Sequence, residues 1–446
     1  MTRDQLIESL LTCAYVERAS AHVLLGWIPR VAELEVKLVL GRHQYATIAR
    51  SSQLERQIQS MCKIRGGHSL AVPRAWRERM RAIDRAKTPR QMVSQLYFGA
   101  RAGLVRCYRE LRAAVDPVLD TTLHELATAA LADLTEQLKP VRKWVRGAKT
   151  PPIRWLASTR GKRVPRGEWL WAPIDRVPVP ARTADELASD TVEGGGVMVP
   201  LVRPGRRNAA AMLHENIDAE VATMELFARC SYEHPDMPEA FHRDMSRQTS
   251  DESRHAGACI ELAARYGAPR GTWPTSTEVY DFHYQFAPCK PGSRRELLWR
   301  LLLRSTVQEA LSVDGFNALC ARLAHDRAFE AARLLESLIA DEVFHVESGL
   351  KWSRYLCGGN DDRVYLERAK AHHFYAMAAM KARKAYVRAN PDQAIRETEQ
   401  LWELHQASHA RYPFDLRIYL RRDVRTSIGF TARDLEQVLD WGYAHD

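Results

Sequence analysis

The eight cysteines (Cys13, Cys62, Cys107, Cys230, Cys259, Cys289, Cys320 and Cys357) are scattered, and no two form a C-x-x-C pair. That spacing excludes a zinc ribbon, supplies no disulfide framework and predicts reduced thiols. No apolar run approaches the roughly 18 residues needed to span a bilayer. The opening stretch, MTRDQLIESLLTCAYVERAS, becomes amphipathic without the sustained apolar segment of a secretory leader. A cytoplasmic location without a membrane partner is therefore expected. Alternating strand patterns are missing, so the expected class is all-α. No glycine-rich flavin or nicotinamide fingerprint occurs, so any redox chemistry draws its electrons from an external donor, a separate reductase, or from the substrate.

What is present is a long helical chain. It has 446 residues, 46% of them hydrophobic, and a net charge of +10. The basic excess favours anionic partners, but arginine is interspersed with acid throughout. Pro and Gly cluster in a few places, and those clusters divide the chain. Residues 1–146 are expected to be an N-terminal helical bundle, with a turn at Trp27-Ile28-Pro29 and a break near Asp116-Pro117. Residues 147–207 are a Pro/Gly/Arg-rich linker or arm. Residues 208–357 are two helical pairs, turning at His234–Pro238 and near His325-Asp326. Residues 358–446 are a helical extension of three or four shorter helices.

Two motifs carry chemistry: Asp251-Glu252-Ser253-Arg254-His255 and Asp341-Glu342-Val343-Phe344-His345. Residues i and i+3 share a helix face, so Glu252 with His255, and Glu342 with His345, can each grip one metal ion. One such pair means little on a solvated helix. Two copies, each with Asp before Glu and the second set among Leu, Ile, Val and Phe, mean more, because buried Glu needs a partner. A two-metal carboxylate bundle also needs one Glu from each of two further helices. The helix before the second motif offers Glu309; the helix before the first offers Glu220 or Glu225. Glu220 precedes Glu252 by 32 residues and Glu309 precedes Glu342 by 33, the matched spacing of a duplicated helical hairpin. Four carboxylates and two imidazoles suit iron or manganese, either two irons or a Mn/Fe pair. Asp251 and Asp341 are placed to accept the free imidazole N–H groups and fix their tautomers.

These stretches resemble the ferritin-like family of the domain of unknown function 455. The resemblance runs over residues 210–355 through Asp218–Leu226, Met237–Asp244, Glu252–His255, Gln308–Asp314 and Asp341–Val346. The tail, from Pro413-Phe414-Asp415 to Gly429-Phe430, is similar to that family's closing segment. The resemblance implies a ferritin-like four-helix bundle and puts Glu220, rather than Glu225, on the ligand position. The implied metal ligands are Glu220, Glu252, His255, Glu309, Glu342 and His345. The chain departs from the family's pattern at Asp218, Ala222 and Ser312, which bear on the pocket more than on the metals. The D-E-x-R-H form of the first motif is also similar to that of bacterial multicomponent di-iron monooxygenases.

The N-terminal helices read as a degenerate second bundle without metal. Glu17, His22, Glu35 and His43 occur there, but no E-x-x-H does, and the second helix carries Ala and Arg at Tyr45–Arg50 where ligands would sit. The arm holds nine basic residues and no acidic one between Arg142 and Arg166, with Trp144 and Trp155 among them and Trp169 and Trp171 following. The favoured reading is that these Trp side chains pin the arm to a bundle while the arginines stay solvated; RNA binding is the alternative. His372-His373 and the pair His405/His409 read as surface groups. Trp273, Tyr280, His283 and Tyr284 are expected near a site entrance.

The expected function is that of an oxidoreductase with two iron ions and dioxygen as co-substrate. It would hydroxylate, N-oxygenate or desaturate a small organic substrate, with a homodimer as the expected assembly. Three alternatives use the same residues: a ferritin-like tRNA-modifying hydroxylase, an iron-binding or ferroxidase protein, and a scaffold that keeps its ligands for stability.

Overall fold

The computed structural model describes residues 2–63, 70–147, 150–155, 162–183, 206–272, 280, 283–284, 289–325, 327–389, 391–392 and 421–436. Over these the protein is all-α, with one short two-stranded sheet. No helix among the described residues is long and apolar enough to cross a membrane.

The chain divides into two compact units, residues 1–181 with 227–253, and residues 182–226 with 254–446. In the first unit, α1 (Arg3–Trp27) begins with a capping box. The Thr2 side chain accepts from the Gln5 N–H, and the Gln5 side chain accepts from the Thr2 N–H, an arrangement contributing about 1 kcal/mol. Ile28-Pro29 turns the chain into α2 (Leu34–Lys63), as the proline predicts. α1 packs along α2 and also against α5 (Ala102–Ala114), while α6 (Thr121–Arg142) packs on α5 and α2. α3 (Arg74–Asp84) and the short α4 (Pro89–Val93) precede α5.

Between α4 and α5, residues Ser94–Arg101 form a π-helical segment. A π-turn leaves backbone carbonyls free of their usual partners. The arm supplies replacements: the Ile153 N–H donates to the Gly99 carbonyl (2.9 Å) and Trp155 Nε1 donates to the Ala100 carbonyl (3.0 Å). Gly103 admits this contact, since a Cβ there would meet the Ile153 carbonyl oxygen at 2.0 Å.

The arm is thus pinned, as expected, by its aromatics: Trp155, Trp169 and Trp171 are buried. Its β2 (Arg163–Pro165) pairs antiparallel with β1 (Ala71–Pro73), a strand pair the sequence pattern does not announce. Two of its arginines are not simply solvated. Arg163 pairs with Glu8 at 3.0 Å, and Arg166 pairs with Glu55.

α7 (Arg206–Glu233) and α8 (Glu239–Arg265) are the helical pair expected around His234–Pro238. The division between units cuts α7 after Leu226 and α8 after Ser253. Glu252 therefore lies just before that cut, one turn from His255 on a continuous helix.

The second unit continues with α9 (Arg294–Leu301), a second π-helical segment (Leu302–Gln308) and α10 (Glu309–His325). α11 (Phe329–Leu356) packs along α10 and the π-segment. Gly349 permits that approach: a Cβ there would stand 2.2 Å from the Ser305 Cβ. α12 (Asp361–Ala389) begins the C-terminal extension. It packs Val364 and Ala371 with Leu298, Trp299, Leu302 and Leu303.

The short α13 (Arg422–Ser427) returns the tail to α10. Arg425 Nε donates to Asp314 Oδ2 (3.0 Å) and its NH2 donates to the Ala310 carbonyl (2.7 Å). Ile428 and Phe430 pack with Ala310, Val346 and Leu350.

Candidate metal centre

Two groups of side chains converge. Ligand atoms of Glu220, Glu252, His255 and Glu342 lie within 4.8 Å of one another, and so do those of Glu252, Glu309, Glu342 and His345. All six residues expected from the sequence are present, all are buried, and Glu252 and Glu342 belong to both groups. The two-group arrangement follows from helix geometry. Each E-x-x-H pair presents one face of α8 or α11, and α7 and α10 bring one Glu each.

The imidazoles are oriented. His255 turns Nδ1 toward the carboxylates, 3.5 Å from Glu220 Oε2 and 3.6 Å from Glu342 Oε1. Its other nitrogen, Nε2, donates to Asp341 Oδ2 at 3.1 Å. Since a carboxylate only accepts, the Nε2 proton is fixed there and the Nδ1 lone pair faces the cluster. His345 Nδ1 lies 3.1 Å from Glu342 Oε2. The two oxygens of Glu342 thus face one imidazole each, and the rings stand 6.1 Å apart.

Asp341 also accepts from Arg254 at 2.8 Å. Burial would raise its pKa, but the hydrogen bonds from His255 and Arg254 outweigh that and hold it well below the usual carboxylate range. The opposite applies to Glu309. Burial pushes its carboxyl well up, Arg304 at 2.8 Å offsets part of this, and the charge of Glu342 pushes further. Four carboxylates in one buried cluster are costly unless cations neutralise them. The carboxylate oxygens and imidazole nitrogens of each group form a donor set that could hold a metal ion.

Three sequence expectations around the site can now be placed. Glu225 is not part of the cluster; it is held by a bidentate pair with Arg182, at 2.6 and 2.8 Å. Asp251 lies 3.6 Å from Arg247. Tyr280, His283 and Tyr284 are buried. The two tyrosines stack at 4.5 Å, and His283 Nε2 meets Gln308, the residue before Glu309, at 3.2 Å. Trp273, His405, His409 and Pro413–Asp415 lie outside the described residues.

Outside the cluster, Arg425 of the tail and Asp314, five residues beyond Glu309 on α10, form a buried pair.

Residues 190–397 match the model of the family described as Protein of unknown function (DUF455). The match spans the helices that carry all six clustered side chains and just under half of the chain. Comparison with curated proteins and with solved structures finds no significant match.

Proposed function

We propose that the cluster is a two-metal centre, of two irons or of iron with manganese, in a ferritin-like bundle, and that the protein is an oxidoreductase that uses dioxygen to oxidise a small organic substrate. The observation carrying this reading is the convergence of four buried carboxylates with two imidazoles whose Nδ1 atoms face them. When bound, such a pair of ions supplies the electrons and open coordination positions that dioxygen chemistry needs.

The chain's own residues do the rest. Glu252 and Glu342, common to both groups, span the two positions. Glu220 with His255 completes one position and Glu309 with His345 the other. Asp341 holds the Nε2 proton of His255, and Arg254 keeps Asp341 charged. The apolar wall of Ala310, Val346 and Leu350, closed by Phe430 from the tail, keeps bulk water from the α10–α11 side. With no nucleotide fingerprint in the sequence, the electrons of the proposed reaction come from a separate reductase or from the substrate.

The test is to load the protein anaerobically with Fe(II) and then admit oxygen. Oxygen uptake coupled to a transient optical band in wild type, both lost in Glu342→Ala, supports the reading. Iron-loaded wild type that consumes oxygen only to release ferric iron, with no transient band, favours a ferroxidase. Equal behaviour of wild type and Glu342→Ala sinks the proposal.

A further inference from the structure

The first unit repeats the spacing of the cluster, with different chemistry at its centre. Glu17 lies 14 positions after the start of α1 at Arg3, as Glu220 lies 14 after the start of α7 at Arg206. On α2, Thr47 and Arg50 stand 13 and 16 positions after Leu34; on α8, Glu252 and His255 stand 13 and 16 after Glu239. On α6, Asp133, Leu134 and Gln137 stand 12, 13 and 16 after Thr121. On α11, Asp341, Glu342 and His345 stand 12, 13 and 16 after Phe329. In each unit a π-helical segment leads into the remaining helix, ending at Arg101-Ala102 in one and Gln308-Glu309 in the other.

The contacts repeat as well as the spacing. His255 sits between Glu220 and Asp341. Arg50, at the corresponding position, pairs with Glu17 (Nε to Oε1, 2.6 Å; NH2 to Oε2, 3.2 Å) and with Asp133. Gln137, in place of His345, donates to Asp133 at 2.8 Å and accepts from Arg101. Arg101 also donates to Thr47, in place of Glu252, at 3.2 Å. Tyr108 donates to Glu17 at 3.1 Å. Of the four carboxylates in the second set, only the Glu17 counterpart remains; Thr47, Ala102 and Leu134 stand for the others.

We infer that α1, α2, α5 and α6 are a duplicate of the metal-site helices in which guanidinium groups have replaced the metal charge. Arg50 has taken the place of a histidine ligand and of the cation it would bind, and Arg101 neutralises the space beside it. A metal ion cannot share that centre, because two buried guanidinium groups repel it and too few carboxylates remain. The first set of helices is thereby folded around a built-in cation. This inference rests on the reading of the second cluster as a metal centre.

The substitution should be reversible. In the full chain carrying Glu342→Ala, which removes the group common to both positions of the second cluster, we would add Thr47→Glu with Arg50→His. The pair recreates E-x-x-H on α2, facing Glu17. Co(II) is the probe, read by its visible absorption, by metal per chain and by the melting temperature. The expected result is about one additional Co(II) per chain over the Glu342→Ala background, with a Co(II)-dependent rise in melting temperature. A variant that folds only with Co(II) supports the inference equally. A variant with native helical circular dichroism that binds no more Co(II) than its background overturns it, and so does one that stays unfolded with Co(II) present. The single variant Arg50→His, also in the Glu342→Ala background, is the milder check: its loss in melting temperature should be at least partly recovered by Co(II), and no recovery counts against the inference. Wild type and Glu342→Ala, compared without the added substitutions, report separately on the second cluster. Its failure to bind metal would remove the proposed function, a result distinct from the outcome at Arg50.

Discussion

Asp341 belongs to one D-E-x-x-H motif, and the imidazole it holds, His255, belongs to the other, at 3.1 Å. The two halves of the site are therefore tied to each other, because the carboxylate of α11 fixes the proton of the ligand on α8. Asp341→Asn keeps the size but can present an N–H to His255, favouring the wrong tautomer. Metal affinity should fall about 10- to 100-fold, measured by competition with a chelator of known affinity. Unchanged affinity would show that the bond does not orient the imidazole.

Sharing of ligands predicts an asymmetry in stoichiometry. Glu252 and Glu342 belong to both groups, whereas Glu220 and Glu309 belong to one each. Glu252→Ala should abolish tight binding of both ions. Glu220→Ala and Glu309→Ala should each leave about one ion per chain. Metal analysis after anaerobic loading and desalting distinguishes these outcomes.

Both motifs and the turns at Pro29 and Pro235 were legible because each rests on local chemistry: a period of three to four on a helix, or a proline that stops one. Glu309 came from the matched hairpin spacing, and Glu220 was separated from Glu225 only by the family resemblance. The pairing of Asp341 with His255 was not, since which aspartate meets which imidazole depends on how two distant helices face. Arg50 was visible only as a missing ligand; that it neutralises Glu17 needed the packing of α1 on α2. Three-residue strands such as β1 and β2 carry no usable period.

Gly349 sets how closely α11 approaches the π-segment before Glu309. Gly349→Ala places a Cβ against that of Ser305 and should cost about 1–3 kcal/mol. Thermal melts should show the loss, and metal binding should weaken with it as Glu309 is displaced. An unchanged melting temperature would show that the interface can give.

The tail should matter to stability through Arg425. Arg425→Met leaves Asp314 buried without its cation, and breaking such a pair costs about 3–5 kcal/mol. Arg425→Met with Asp314→Leu removes both charges and should recover most of that loss. Chemical denaturation of the three proteins gives the coupling.

Acid should weaken the first unit before its carboxylates titrate. Burial lowers His22 to about 3 and His43 to about 2. Unfolded, both take up a proton near pH 6.5, while in the folded chain they stay neutral. Their contribution is whole above pH 6.5 and is lost as pH falls toward the folded values, by about 1.4 kcal/mol per pH unit for each group. His43→Gln should reduce the steepness of stability against pH between 6.5 and 4, measured by denaturant titrations. An unaltered slope would mean that His43 is already protonated when folded.

The most direct measurement is an anaerobic Fe(II) titration of the full chain, with bound iron counted per chain for wild type and Glu252→Ala. The account predicts about two irons in wild type and none held tightly by Glu252→Ala, with helical content retained in both. Equal, negligible iron in the two proteins would contradict it.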